Sequence, residues 1–133
     1  MKIVIVVDRS LPPGLLANTA AVLAFSVSRR IPGAVGEDIV DADGAVHAGI
    51  TRIPIPILGA ECSTFRMIVA RAGSVSGVGF VDFTDAAQQT TDYRNYADRM
   101  ASTRGSELRY LGVCLYGDPA EVNRITGSLP LLK

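Results

Sequence analysis

Between Lys2 and Asp8 the chain runs Ile3-Val4-Ile5-Val6-Val7 without a polar residue. Side chains alternate between the two faces of a strand, so a strand that is apolar at every position has to be covered on both. Lys2 to Asp8 is therefore expected as a central strand, with helices packed on each face of its sheet. The run is shorter than the roughly 7–15 residues of a signal-peptide core. The longest uncharged stretch, Ser10 to Ser28, is broken by Pro12-Pro13-Gly14 and Asn18, and its apolar part falls short of the roughly 18 residues a membrane span requires. No membrane partner is expected.

Downstream, the punctuation is clear. After Pro12-Pro13-Gly14, Leu15 to Arg30 is rich in Ala, Leu and Val and ends in Arg29-Arg30, where positive charge suits a helix C-terminus. Glu37 to Ile57 reads as an extended hairpin about a two-residue Asp43-Gly44 turn. In its second arm, Ile53-Pro54-Ile55-Pro56-Ile57, the isoleucines share a face while the prolines remove two backbone donors. That confines the arm to a sheet edge or an extended flap. Phe65, Ile68, Val69 and Ala72 predict a helix over Glu61 to Ala72, stopped by Gly73. Gly77 to Phe83 alternates as a strand. Thr91 to Thr103 predicts a helix whose stripe of Tyr93, Tyr96, Ala97, Met100 and Ala101 packs in the core. Glu107 to Tyr116 reads as a second internal strand. Asp118-Pro119-Ala120-Glu121 combines an N-cap acid, proline at the first helical position and Glu at the third, with Val122 and Ile125 following and Gly127 as stop. Strands alternating with helices make an α/β domain.

The 133 residues, 48% of them hydrophobic, suit one domain over 1–133, burying about two-thirds of the unfolded chain's surface without disulfides or structural metal. Cys62 and Cys114 match no C-x-x-C spacing, so both are expected as reduced thiols in the cytoplasm. Thirteen Lys and Arg balance thirteen Asp and Glu, which removes any global attraction for nucleic acid or anionic lipid. Eleven of those cations are arginine, the residue for fixed bidentate contacts with carboxylate or phosphate. Arg29, Arg30, Arg66, Arg71 and Arg104 either converge on an anion or cap helix ends and solvate faces.

The catalytic inventory is thin. His47 is the one histidine and so the one candidate general base titrating near neutrality. Asp8 and Arg9 stand at the end of an internal strand, where α/β sheets place ligands. Asn18 either works within a pocket or caps the first turn of its helix, and Thr126 either lines a pocket rim or belongs to a helix stop. A pocket for a small-molecule ligand is expected from Asp8, Arg9, Asn18, His47 and Thr126. The plainer readings are solvated loop charges and a hydrogen-bonded hairpin histidine. Cys62, Ser26 and Ser63 have no paired base as nucleophiles. A calcium loop centred on Gly44 fails, because Ile39 and Ile50 would stand where carboxylates are required. One His and two scattered Cys make no zinc set, and Gly77-Val78-Gly79 lacks the third glycine of a dinucleotide loop. No metal and no cofactor are expected.

Several segments carry a family resemblance. They are Ile3 to Asp8 with Leu11-Pro12 and Asn18; Asp41-Ala42-Asp43-Gly44 with His47 and Gly49; Pro54-Ile55-Pro56-Ile57-Leu58; Asp92-Tyr93; and Gly117 through Ile125-Thr126-Gly127-Ser128-Leu129. On these the chain resembles the bacterial family catalogued as domain of unknown function 2000. More distantly, Gly117, Pro119, Thr126-Gly127, Leu129 and Leu131-Leu132 are similar to the closing Val-Thr-Gly-x-Leu-x-Leu region of the type II peptidyl-tRNA hydrolases. This likeness implies a three-layer α/β/α fold with a mixed sheet of about four strands, and a homodimer. Those hydrolases carry a lysine in the loop after their first strand, whereas the lysines here are Lys2 and Lys133, so none of their catalytic roles is carried over. Three functions follow as expectations: a cytoplasmic small-molecule-binding or enzyme-like protein, a hydrolase of peptidyl-tRNA or a related ester that binds tRNA, and a non-enzymatic homo-oligomer.

Overall fold

A computed structural model describes residues 1–133. Strand β1 (Lys2–Asp8) lies inside a four-stranded sheet of order β4-β1-β6-β5, where β4 is Ile57–Ala60, β5 Val78–Thr84 and β6 Tyr110–Gly117. It pairs in parallel with β4, Ile5 opposite Ile57 and Asp8 opposite Ala60, and antiparallel with β6, Val6 opposite Val113. Because β5 is antiparallel to β6, strands β1, β4 and β5 all end at the same side of the sheet.

The two faces of β1 are shared between two cores, as its unbroken apolar run demands. Ile3, Ile5 and Val7 pack with Leu23 and Val27 of helix α1 (Pro13–Val27). Val4 and Val6 pack with Phe65, Ile68 and Ala72 of α2 (Phe65–Ser74) and with Val122 and Ile125 of α5 (Pro119–Thr126). Val6 and Val7 are fully buried; each such side chain contributes about 1.5–3 kcal/mol.

Helix α1 starts on Pro12 and Pro13, with no side-chain cap; the Leu15 and Leu16 amides both donate to the Pro12 carbonyl. Its first turn therefore rests on proline's preset φ. Thr19 lies flat on the sheet over Gly112, where a Cβ would stand 2.7 Å from Thr19 Cγ2. The α5 start is as expected: Asp118 accepts from the Glu121 amide, and Pro119 opens the helix.

Several boundaries differ from expectation. Gly73 does not stop α2, which runs to Ser74; the turn comes at Gly77, with φ of +85°. The segment before α2 is a 3-10 turn, Cys62–Thr64. Residues Gly105–Glu107 form another such turn, so β6 begins only at Tyr110; Arg66 holds this stretch by donating to the carbonyls of Gly105, Ser106 and Leu108. A short helix, α3 (Asp85–Gln88), was not expected; α4 spans Tyr93–Ala101 and buries no residue completely. Its aromatic stripe does not enter the core, and Tyr93 is 81% exposed. The stripe faces a groove instead.

The hairpin is shorter than its sequence suggests: β2 (Ile39–Val40) pairs with β3 (Val46–His47). Its connection takes three residues, Ala42 to Gly44, because the Asp41 amide still donates to Ala45 and Gly44 alone adopts positive φ. A three-residue loop ending in a left-handed glycine is the next common hairpin solution. Of the segment Ile53 to Ile57, only Ile57 joins a strand, at the sheet edge, and the rest is an irregular lead into it. Pro54 and Pro56 precede the outer strand β4, and Ile53, Ile55 and Ile57 pack half-buried on the α1 side of the core. The outward edge of β4 is closed by the tail, since the Gly59 amide donates to Pro130 and the Leu132 amide to Ile57.

Replacing Gly112 by Ala drives a methyl into Thr19, Leu23 and the Val6 carbonyl. A loss of about 1–3 kcal/mol is expected, read as a lower urea midpoint at unchanged m-value.

Candidate functional site

Asp8 is the only charged residue in the buried set. It ends β1, where its Oδ1 accepts from the Ser10 amide at 3.0 Å and hydroxyl at 2.6 Å, and its Oδ2 from Arg109 at 3.1 Å. Burial pushes its carboxyl up, but Ser10 and Arg109 together outweigh burial and hold it below the ordinary aspartate value. Beside it, Arg9 pairs with Glu61 across the ends of β1 and β4. Asp85 accepts from the Arg109 amide and returns its own amide to the Arg109 carbonyl. The side of the sheet where β1, β4 and β5 end is thus charged and internally satisfied.

The other expected site residues do not join it. Asn18 is exposed in the interior of α1, neither capping nor in a hydrogen bond. Thr126 is buried and donates to the Val122 carbonyl of its own helix. Because α1 and α5 cover opposite faces, the sheet itself separates Asn18 from Thr126. His47 is exposed on the hairpin and bonds Asp41 Oδ2 at 2.8 Å. His47, then the Ala45 and Asp43 amides, lower the Asp41 carboxyl, so His47 is a hairpin staple. No hydrogen bond or ion pair joins any two of Asp8, Arg9, Asn18, His47 and Thr126. No three His, Cys, Asp or Glu side chains converge to hold a metal ion.

The arrangement with room for a ligand lies elsewhere. A groove of about 680 Å³ runs between the end of α1 with its trailing 3-10 turn Ser28–Arg30, strand β5, and the α3–α4 segment. Its volume falls among those of small-molecule sites, about 300–1,000 Å³. Phe25, 84% exposed on α1, forms one wall, and Tyr93 and Tyr96, edge to face at 5.6 Å, form the other. Val81 and Phe83 form its base on the α1 face of β5, and Asp82, opposite Val113, stands between them on the other face of this outer strand. Asp82 is half-buried and accepts no hydrogen bond, so burial alone raises its carboxyl above the ordinary aspartate value. Burial first, then the charges of Asp82 and Tyr93, push the Tyr96 phenol up. Arg29 and Arg30 also line the groove, and neither forms an ion pair. Asp92, in contrast, is spent as the cap of α4, accepting from the Asn95 amide and side chain.

The sequence signal for this site was the aromatic stripe of α4, read as core, together with a lone acid inside an otherwise apolar strand. Of the arginines considered together, Arg29 and Arg30 reach the groove while Arg66 is consumed by loop carbonyls.

The model of a family described as "Protein of unknown function (DUF2000)" matches residues 1–133. The chain belongs to that family. No curated protein matches this DUF2000 chain. Its structure is similar to that of a protein of unknown function from Agrobacterium tumefaciens strain C58, with a TM-score of 0.88 at 18% identity, covering 98% of this chain and 96% of that one. At that identity the likeness is one of fold. No helix of this DUF2000 chain is long and apolar enough to cross a membrane.

The two strand aspartates carry opposite signs. Asp8, with a lowered folded value, adds stability above the ordinary aspartate range and loses it as pH falls through that lowered value. Asp82, with a raised one, subtracts stability once pH has passed its folded value and subtracts nothing below the unfolded one. At neutral pH, Asp8→Asn is expected to lower the thermal midpoint and Asp82→Asn to raise it. Both differences shrink toward about pH 3, measured by circular-dichroism melts across the range.

Proposed function

We propose that this chain binds a small molecule in the groove between α1, β5 and α4. The observation that carries the reading is Asp82. A carboxylate withdrawn from water without a donor is destabilising, and such groups concentrate where a ligand completes them. Exposed Phe25 and Tyr93 on opposite walls support the same reading, because large rings left in water beside a concave surface mark binding sites. Two free thiols, Cys62 and Cys114, the latter pushed up to about 12 by burial, support a reducing, cytoplasmic setting.

At finer grain we read the α/β/α arrangement as that of the type II peptidyl-tRNA hydrolases. A strand followed by a proline turn and an alanine-rich helix supports it, and so does the Gly117 to Leu132 closure. Peptidyl-tRNA hydrolysis is the alternative activity on that likeness. Self-association is the other alternative, supported by the exposed Ile39, Val40, Val46 and Ile50 of the hairpin.

The groove is tested by a fragment screen read in amide NMR spectra. Bound fragments are expected to perturb Val81, Asp82 and Tyr96, and Ala87→Trp, which fills the groove from α3, is expected to weaken them about tenfold or more. Perturbations confined to the cleft of Arg9, Gly59 and Leu131, or none, would overturn the assignment.

A further inference from the structure

Backbone bonding decides which atoms of β5 are left free. The Gly77 carbonyl accepts from the Asp118 amide at 2.9 Å, and the register continues with Gly79 opposite Tyr116 and Val81 opposite Cys114. In an antiparallel ladder, every second residue turns both backbone groups to the partner strand, and the residues between turn theirs away. The amides and carbonyls of Val78, Phe80 and Asp82 therefore point out of the sheet, and none of them bonds to another segment. Edge strands are ordinarily protected by proline, charge, a bulge or a covering segment. The opposite edge has two prolines ahead of β4 and the tail beyond it. Strand β5 has seven residues, no proline, and a register irregularity only at its far end, between Phe83 and Thr84. Asp82 is its one charged residue.

The side chains of that same row face inward. Val78 and Phe80 pack against the core of α2 and α5, and Asp82 follows them at the strand period of two. The strand ends the sheet, so the half-buried Asp82 carboxylate keeps a path to water past the edge. A further strand beyond β5 would close that path and leave a charge among apolar groups, which is strongly unfavourable. One partner fits the row by symmetry. A second copy of the chain, antiparallel and centred on Phe80, sets Phe80 against the partner's Phe80 and pairs the outward amides and carbonyls of all three residues. The same register sets each Asp82 opposite a Val78. We propose that the β5 edge is a latent two-fold interface between copies of this chain, and that the charge of Asp82 is what keeps it unpaired. The role requires no ligand, so it stands apart from the reading of the groove.

The test is sedimentation equilibrium at neutral pH over a range of protein concentrations, with amide hydrogen exchange to locate any contact. The unmodified chain is expected to be free of β5 pairing, with fast exchange at Val78, Phe80 and Asp82 and slow exchange at Gly79, Val81 and Phe83. Asp82→Val is expected to dimerise at least about tenfold more tightly than the unmodified chain, the amides of Val78 and Phe80 becoming protected as the dimer forms. Asp82→Asn, which keeps the shape and drops the charge, is expected to fall between the two. Asp82→Lys is expected to leave the edge open, because a charge of either sign is excluded. Asp98→Val, at an exposed acid of α4, controls for net charge and is expected to leave association unchanged. Thermal melts establish that each variant is folded. The proposal is overturned if folded Asp82→Val and Asp82→Asn associate no more than the unmodified chain, or if Asp98→Val associates as strongly as they do. Protection of Val78 and Phe80 in a dimer of the unmodified chain would also overturn it, as would a variant dimer whose new protection lies on the hairpin and not on β5.

Discussion

Everything else in this fold depends on the burial of β1 on both faces. A strand of five consecutive β-branched aliphatic residues has no side to offer water, so the chain has to deliver a helix layer to each face. It does so with α1 on one and α2 with α5 on the other. The close seat of α1 over Gly112 follows from the first delivery. It also leaves the Thr19 hydroxyl buried without a partner, a cost of about 1–3 kcal/mol that the surrounding apolar contact offsets.

Those elements whose signals are local were readable in advance. Asp118-Pro119 with Glu121 is a helix start by its own chemistry, and β1 is a central strand by the absence of any polar residue. What escaped was decided at a distance. Gly73 fails to end α2 because tertiary packing of Phe65, Ile68 and Ala72 outweighs one glycine, worth about 1 kcal/mol. Residues 105–109 are apolar enough for a strand only near their end, and Arg66 from α2 ties their carbonyls into a turn.

The expected pocket drew Asp8, Arg9, Asn18, His47 and Thr126 together because each was the unusual residue of its segment. Unusual residues turned out to have local duties: Asp8 binds Ser10 and Arg109, His47 binds Asp41, Thr126 binds its own helix. The groove was illegible for the converse reason. Tyr93 and Tyr96 keep the periodicity of core residues, and only the three-dimensional position of α4 beyond β5 reveals that the stripe faces a concavity rather than a sheet.

The two outer strands of the sheet have opposite fates. The outward backbone of β4 is taken up by the tail through Gly59 and Leu132, whereas β5 has a hydrogen-bonded neighbour on one side only. That open side is a row of unpaired amides and carbonyls, the one edge of this four-stranded sheet left as a template for pairing with another chain.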